Sequence, residues 1–224
     1  MNLPAELFSP AWHWLALALC VAVAVRVFTR VPWQRLTQAS HSSQRNLLFG
    51  FAVSLALMWS MKAGVHPGLN LHLLGAMAAT LCLGAPLALL ALALALSGIA
   101  LNGEIAWTAW PINYVLMAIV PVVTASALKY FVESKLPPHF FIFVFVLAFV
   151  GSALTILTQG LAAVVALVLS GAYEWDFLLS EYLPYFMLLG FSEAWLSGAI
   201  VTLLVVYRPE WVAAFDDRRY LMGK

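Results

Sequence analysis

The sequence predicts an all-α integral membrane protein. Residues 1–224 are expected to form one membrane-embedded domain, a bundle of about seven transmembrane helices with the amino terminus outside and the carboxyl terminus cytoplasmic. Three observations carry this expectation. Of the 224 residues only 9% are charged and 64% are hydrophobic, with a mean hydropathy of +0.95, whereas a soluble domain averages about 25% charged residues. Seven apolar runs follow one another along the chain. The basic residues sort to one side of those runs.

The first run, 10–31, opens with Pro10 and carries Trp12 and Trp14 at its outer end. A polar stretch, "PWQRLTQASHSSQRN", separates it from the second run, 47–62. Next comes "GVHPGLNLHLLGA", residues 64–76, which holds two of the five histidines. The third and fourth runs, 71–83 and 87–101, are parted by "GAP". At roughly 13 and 15 residues they are shorter than the ~20 a full span needs, so they belong inside a bundle rather than facing lipid. "NGEIAWTAW" leads into the fifth run, 111–131, and "VESKLPPH" ends it. The sixth run, 139–170, exceeds one untilted span, which predicts a kink or a restart near Thr158–Gly160. After the aromatic, acidic "GAYEWDFLLSEYLP", the seventh run covers 185–207.

Alternating seven spans from an external amino terminus places Arg26, Arg30, Arg35, Arg45, Lys129, Lys135, Arg208, Arg218, Arg219 and Lys224 at the cytoplasmic face, leaving Lys62 outside. The external side receives Glu6, Glu104, Glu174, Asp176 and Glu181. This is the positive-inside pattern. Trp107, Trp110, Tyr173, Trp175, Tyr182 and Tyr185 read as an interfacial aromatic belt. No cleavable signal peptide is expected, because Glu6 precedes the first run and Arg26 and Arg30 follow it.

Several functions are set aside. A net charge of +1 sorted by membrane side gives no groove for nucleic acid. Cys20 and Cys82 lie in apolar runs and read as packing residues. There is no Walker motif and no Gly-rich phosphate loop, so uphill transport needs a partner or an ion gradient. No nucleophile–His–acid triad and no box for an organic cofactor is visible.

His66 and His72 are the candidate ligands. Neutral imidazole suits Ni, Co, Cu and Zn, and the turn-forming Pro67–Gly68 between them permits convergence. The alternative is a pair of interfacial histidines bonded to loop backbone. Glu193 stands inside the seventh run, where a carboxylate is costly without a partner. It is either proton-linked or a Ser- or Asn-bonded packing group. Asn113 in the fifth run invites an interhelical hydrogen bond. Small residues at four-residue spacing, Ala16, Cys20 and Ala24, mark a face of the first span suited to close helix approach.

Four blocks carry a resemblance to a known family. "MNLPAELFSPAW" resembles a start of the form Met-His-Ile-Pro-(Asp/Glu)-Gly-(Phe/Tyr)-Leu-Ser-Pro. "HPGLNLHLLGAMAATLCLGAP" is similar to PGGTSxHLxGAxLAAxLLGPW, "ALNGEIAWTAWPINYVLMAIV" to LLFGDGGxTALGANxxNMAxV, and "GFSEAWLSGAIVTLLVVYRPEW" to GEALITxxVxxFLxxxRPDL. The blocks occur in order over nearly the whole chain, and they are those of the CbiM/NikM permeases, the substrate-specific components of energy-coupling-factor importers for cobalt and nickel. The resemblance implies a bacterial inner-membrane, multi-pass component that captures a transition metal ion externally, Ni or Co first and Cu or Zn as alternatives. It implies partners: a transmembrane coupling protein, cytoplasmic ATPase subunits and a small accessory membrane subunit. Ligation would come from the terminal amine at Met1, from residue 2 and from His72. This chain has Asn2 where the family has histidine, and His66 is the expected replacement imidazole. Two other readings remain: a metal-sensing or accessory protein on the same fold, and a secondary transporter or channel using Glu193.

Overall fold

The computed structural model describes residues 2–37, 42–66 and 68–221. Met1, His41 and Lys224 lie outside the described residues, as does the side chain of His66. After a short 3-10 turn at Ala5–Leu7, the helices are α1 (Pro10–Arg30), α2 (Trp33–Thr37) and α3 (Ser42–Ser60). Two short strands follow, β1 (Ala63–His66) and β2 (Leu69–Leu71), and then α4 (Ala76–Leu83) and α5 (Ala85–Leu101). The remaining helices are α6 (Trp110–Tyr114), α7 (Val120–Lys135), α8 (Gly151–Leu169), α9 (Trp175–Glu181), α10 (Leu183–Tyr207) and α11 (Asp217–Tyr220). Among the described residues four helical stretches are long and apolar enough to cross a membrane: Pro10–Arg30, Trp110–Lys135, Ile142–Leu169 and Trp175–Tyr207. Ala85–Leu101 is a shorter apolar helix.

Proline and glycine account for most of the punctuation. Pro10 opens α1, where its missing N–H costs nothing. Pro121 has no N–H to give the carbonyl four residues back and its ring crowds that carbonyl, and the helix widens to π geometry at Val115–Ile119 just ahead of it. Gly75 and Gly84 take φ of +70° and +77°, ending α4 at both sides. The apolar run 71–83 is therefore not one helix. Leu71 ends a strand, residues 72–75 form a loop, and only eight residues are helical.

The sixth run differs from expectation in the opposite sense. Helix α8 passes unbroken through Thr158–Gly160, and the irregular part is a π stretch at Ile142–Val150. Gly160 is there for contact. A Cβ at that position would lie 2.5 Å from the ring of Phe186 on α10, so the glycine lets two helices meet across an aromatic ring. Gly198 does the same for Phe149, with a Cβ at 2.5 Å from that ring.

Burial sorts the helices. All eight residues of α4 are buried, and α5 buries Leu87, Ala88, Ala91, Leu92, Ala95, Leu96, Ile99 and Ala100. These short segments form the centre of the molecule, as their length requires. In α1 only Ala16 and Cys20 are buried, while Trp14, Val21, Val25 and Phe28 are exposed. The small-residue row thus marks the face of α1 that meets α6, where the Cys20 thiol donates to Pro111 O at 3.4 Å. Ala24, at the end of that row, is exposed. Tyr182 departs from the aromatic belt, being wholly buried with its ring edge-on to Phe186.

One small sheet interrupts the helical architecture. Strands β1 and β2 pair antiparallel, with Ala63 opposite Leu71 and His66 opposite Leu69. Gly68, just ahead of the return strand, has φ +80°, in the left-handed region that favours glycine. A Cβ on Gly68 would lie 3.0 Å from Pro4 Cγ, so the hairpin tip sits directly on the amino-terminal segment.

Candidate metal centre

The amino-terminal segment is drawn into the molecule. Asn2 and Leu3 are 5% and 1% exposed. The anchor is Asn113 of α6, which is fully buried. Its Oδ1 accepts from Leu3 N at 2.8 Å, and its Nδ2 donates to Leu3 O at 2.8 Å and to Ala109 O at 3.0 Å. One side-chain amide thus pairs with both backbone groups of Leu3, as a neighbouring strand would. The expected interhelical bond of Asn113 is replaced by a bond to the tucked terminus. The sequence shows an Asn in an apolar run, but its partner lies 110 positions away.

His72 meets this segment from the other side. It is 4% exposed, and its Nε2 lies 3.2 Å from Asn2 Oδ1. Its Nδ1 lies 2.8 Å from Leu73 O. A carbonyl only accepts, so the proton sits on Nδ1 and Nε2 presents a lone pair. Nε2 and Oδ1 are therefore two electron-pair donors facing one another, while the Asn2 Nδ2 is buried and without a hydrogen-bond partner. Turning the Asn2 amide over would let Nδ2 donate to Nε2. In either orientation the imidazole nitrogen and the Asn2 amide meet at 3.2 Å in a buried pocket. Burial pushes the His72 pKa well below the usual imidazole value, which keeps the ring neutral and available as a ligand.

The loop carrying His72 is held by two further buried side chains. Trp59 of α3, with no exposed surface, donates from Nε1 to Leu74 O at 3.2 Å and packs its ring against His72, centroids 5.5 Å apart. Glu193 of α10 accepts from Leu74 N and Gly75 N, both at 2.7 Å, and from Ser197 Oγ at 2.8 Å. The two backbone donors lie at the start of α4, where a carboxyl group is favoured. The Glu193 carboxyl group thus clasps the His72 loop. Trp59 was missed by sequence reasoning, since one more Trp near an interface carries no signal.

Met1 and the His66 side chain lie outside the described residues, and the backbone of His66 ends β1 opposite Leu69. Among the described residues no three His, Cys, Asp or Glu side chains come together. His13 is held elsewhere, with Nε2 3.2 Å from Ala5 O.

The tucked terminus and the histidine loop are thus fixed by buried polar side chains from three helices, Asn113 of α6 for the terminus and Trp59 of α3 and Glu193 of α10 for the loop. Residues 2–211 match the family described as the cobalt uptake substrate-specific transmembrane region, CbiM, and the chain belongs to that family. It is a transport component. No curated protein matches the chain. Two solved structures share the fold. One, described as the crystal structure of a truncated transition metal transporter, has a TM-score of 0.80 and 20% identity, covering 92% of this chain and 99% of that one. The other, the crystal structure of a transition metal transporter, has a TM-score of 0.78 and 20% identity, covering 91% of this chain and 92% of that one.

Proposed function

We propose that this chain is the substrate-specific membrane component of an energy-coupling-factor importer, a single permease domain of about seven spans in a bacterial inner membrane, amino terminus outside. It captures a transition metal ion, nickel or cobalt, at the outer end of the bundle, with uptake driven by cytoplasmic ATPase subunits through a transmembrane coupling protein. The observation that carries this reading is the pair of convergent donors, His72 Nε2 and Asn2 Oδ1, 3.2 Å apart. Adjacent ligands on one metal at about 2 Å bond length stand at about that separation. The Nδ1–H of His72 on Leu73 O is the outer hydrogen bond that orients a ligating imidazole. The terminal amine at Met1 and the imidazole of His66 complete the set, His66 restoring the nitrogen that Asn2 does not supply. A mixed N/O set with one amide oxygen binds less tightly than an all-nitrogen one.

Elemental analysis and nickel and cobalt titration of protein with a native, tag-free amino terminus test this. One metal per chain is expected, lost in His72→Ala and weakened at least tenfold in His66→Ala. No metal bound by the wild type would sink the importer and favour a regulatory relative on the same fold. Unchanged stoichiometry and affinity in His66→Ala would remove His66 from the set.

A further inference from the structure

Helix α4 has a second attachment at the end away from His72. After α10 the chain turns back through a 3-10 turn at Pro209–Trp211 and runs across the carboxyl end of α4. Ala213 N donates to Cys82 O at 3.1 Å and Ala214 N to Leu81 O at 2.9 Å. These are carbonyls that a helix end leaves unpaired, and the returning chain supplies their donors. Val212, Phe215 and Tyr220 are buried, with Phe215 and Tyr220 stacked at 5.2 Å and both packed edge-on to Phe143, at 5.0 and 5.1 Å. The strap is pinned at its far end by an ion pair. Arg219 Nη1 lies 3.3 Å from Glu133 Oε1 on α7, while Lys129 Nζ holds Oε2 of the same carboxylate at 2.9 Å.

Two polar features flank α4 near the strap. Beside it lies a cavity of about 320 Å³, bounded by Thr80 and Gly84, by Ser126, Lys129 and Glu133 of α7, and by Ala214 of the strap itself. Along the other flank of α4 runs a buried polar row on α8: Ser152, Thr155 and Gln159, each at most 1% exposed. Ser152 and Thr155 give their protons to the carbonyls of Ala148 and Gly151, so their oxygens keep free lone pairs. Thr155 Oγ1 sits 3.9 Å from Met77 Sδ on α4, and Gln159 Nε2 is buried without a hydrogen-bond partner. Oxygen and sulfur donors thus line the flank of α4 in a molecule whose surroundings are otherwise apolar. At 1.5 Å per residue the eight residues of α4 separate the His72 loop from the strap by about 12 Å.

We infer that the segment 212–220 is a gate. It seals the end of the bundle opposite the His72 site and must leave α4 before the ion can be released, with Arg219–Glu133 as its latch. This rests on the importer reading. The strap's hold on α4 itself is two main-chain hydrogen bonds and its latch is a surface ion pair, contacts that can break without unfolding the helix, while Phe215 and Tyr220 stay packed on Phe143. Opening bares the carbonyls of Leu81 and Cys82 and the Glu133 carboxylate, all oxygen donors facing the departing ion.

Cys82 lies 3% exposed beneath the strap and is a native reporter, with Cys20 on α1 as internal reference. In cells expressing the chain with its coupling and ATPase subunits, N-ethylmaleimide modification of Cys82 is followed by mass spectrometry with and without nickel or cobalt and after energy depletion. The gate predicts at least tenfold faster labelling of Cys82 during uptake, a return to baseline on depletion, and no change at Cys20. In the purified full chain, Arg219→Ala is expected to raise Cys82 labelling while metal bound per chain stays unchanged, which shows the fold intact. Metal uptake with Cys82 at baseline throughout overturns the gate alone. Absence of uptake by the wild type overturns the importer reading and the gate with it.

Discussion

Glu193 offers the sharpest test of how the site is held. Its carboxyl group is 1% exposed and accepts from two backbone N–H groups, Leu74 and Gly75, and from the Ser197 hydroxyl. In Glu193→Ala the hydroxyl has an escape, since Thr80, Ser152 and Thr155 all donate to the carbonyl four residues back and Ser197 can do the same. The two N–H groups have none. A buried donor without an acceptor costs about 1–3 kcal/mol, so the loss is about 2–6 kcal/mol. Glu193→Gln keeps one acceptor oxygen but sets its NH2 against the other N–H, so it loses about 1–3 kcal/mol. The loop so loosened carries His72 and the Leu73 carbonyl that orients its ring, so metal affinity is expected to fall with it. The unfolding midpoint in detergent is therefore expected to fall in the order wild type, Glu193→Gln, Glu193→Ala, and nickel titration to weaken in step. Wild-type stability and affinity in Glu193→Gln, together with loss of transport that tracks a proton gradient, would refute the clasp and support the secondary-transporter reading.

Other outcomes follow from the same geometry. Asn113→Leu removes both bonds to Leu3 and frees the tucked terminus. Metal affinity is expected to drop at least tenfold, with new cleavage by an added protease within residues 2–9, and an intact segment with unchanged binding would show that Asn113 does not anchor it. The metal-free protein should also lose stability in mild acid. Burial lowers the His72 pKa, so the unfolded chain takes up a proton that the folded one refuses. The contribution is present above the ordinary imidazole value of 6.5 and is lost as pH falls below it. Denaturant unfolding at pH 7.5 and 5.5 checks this, with His72→Gln expected to flatten the difference.

Some of this architecture was legible because composition and periodicity are local properties. A chain with 9% charged residues has no polar coat to offer water, and the short runs around Gly84 had to sit within a bundle. The four blocks in order were enough to identify the family, and they singled out His72. The sequence also marked Asn113 and Glu193 as polar groups that an apolar run does not carry without a partner.

Their partners were decided only by the tertiary structure. Asn113 bonds to Leu3 and Glu193 to Leu74 and Gly75, and in each case the partner is backbone, which has the same chemistry at every residue and leaves no trace in sequence. The same reason hid the strap, whose bonds to Leu81 and Cys82 are again main chain to main chain. A break near Gly160 was expected because the sixth run exceeds one span, yet the glycine is a contact, and only the position of Phe186 on another helix reveals it. What the residues fixed by themselves was the solvent this protein needs and the polar groups it must satisfy. Which groups satisfy them, and hence how Asn2 and His72 come to face one another, required the chain to be folded.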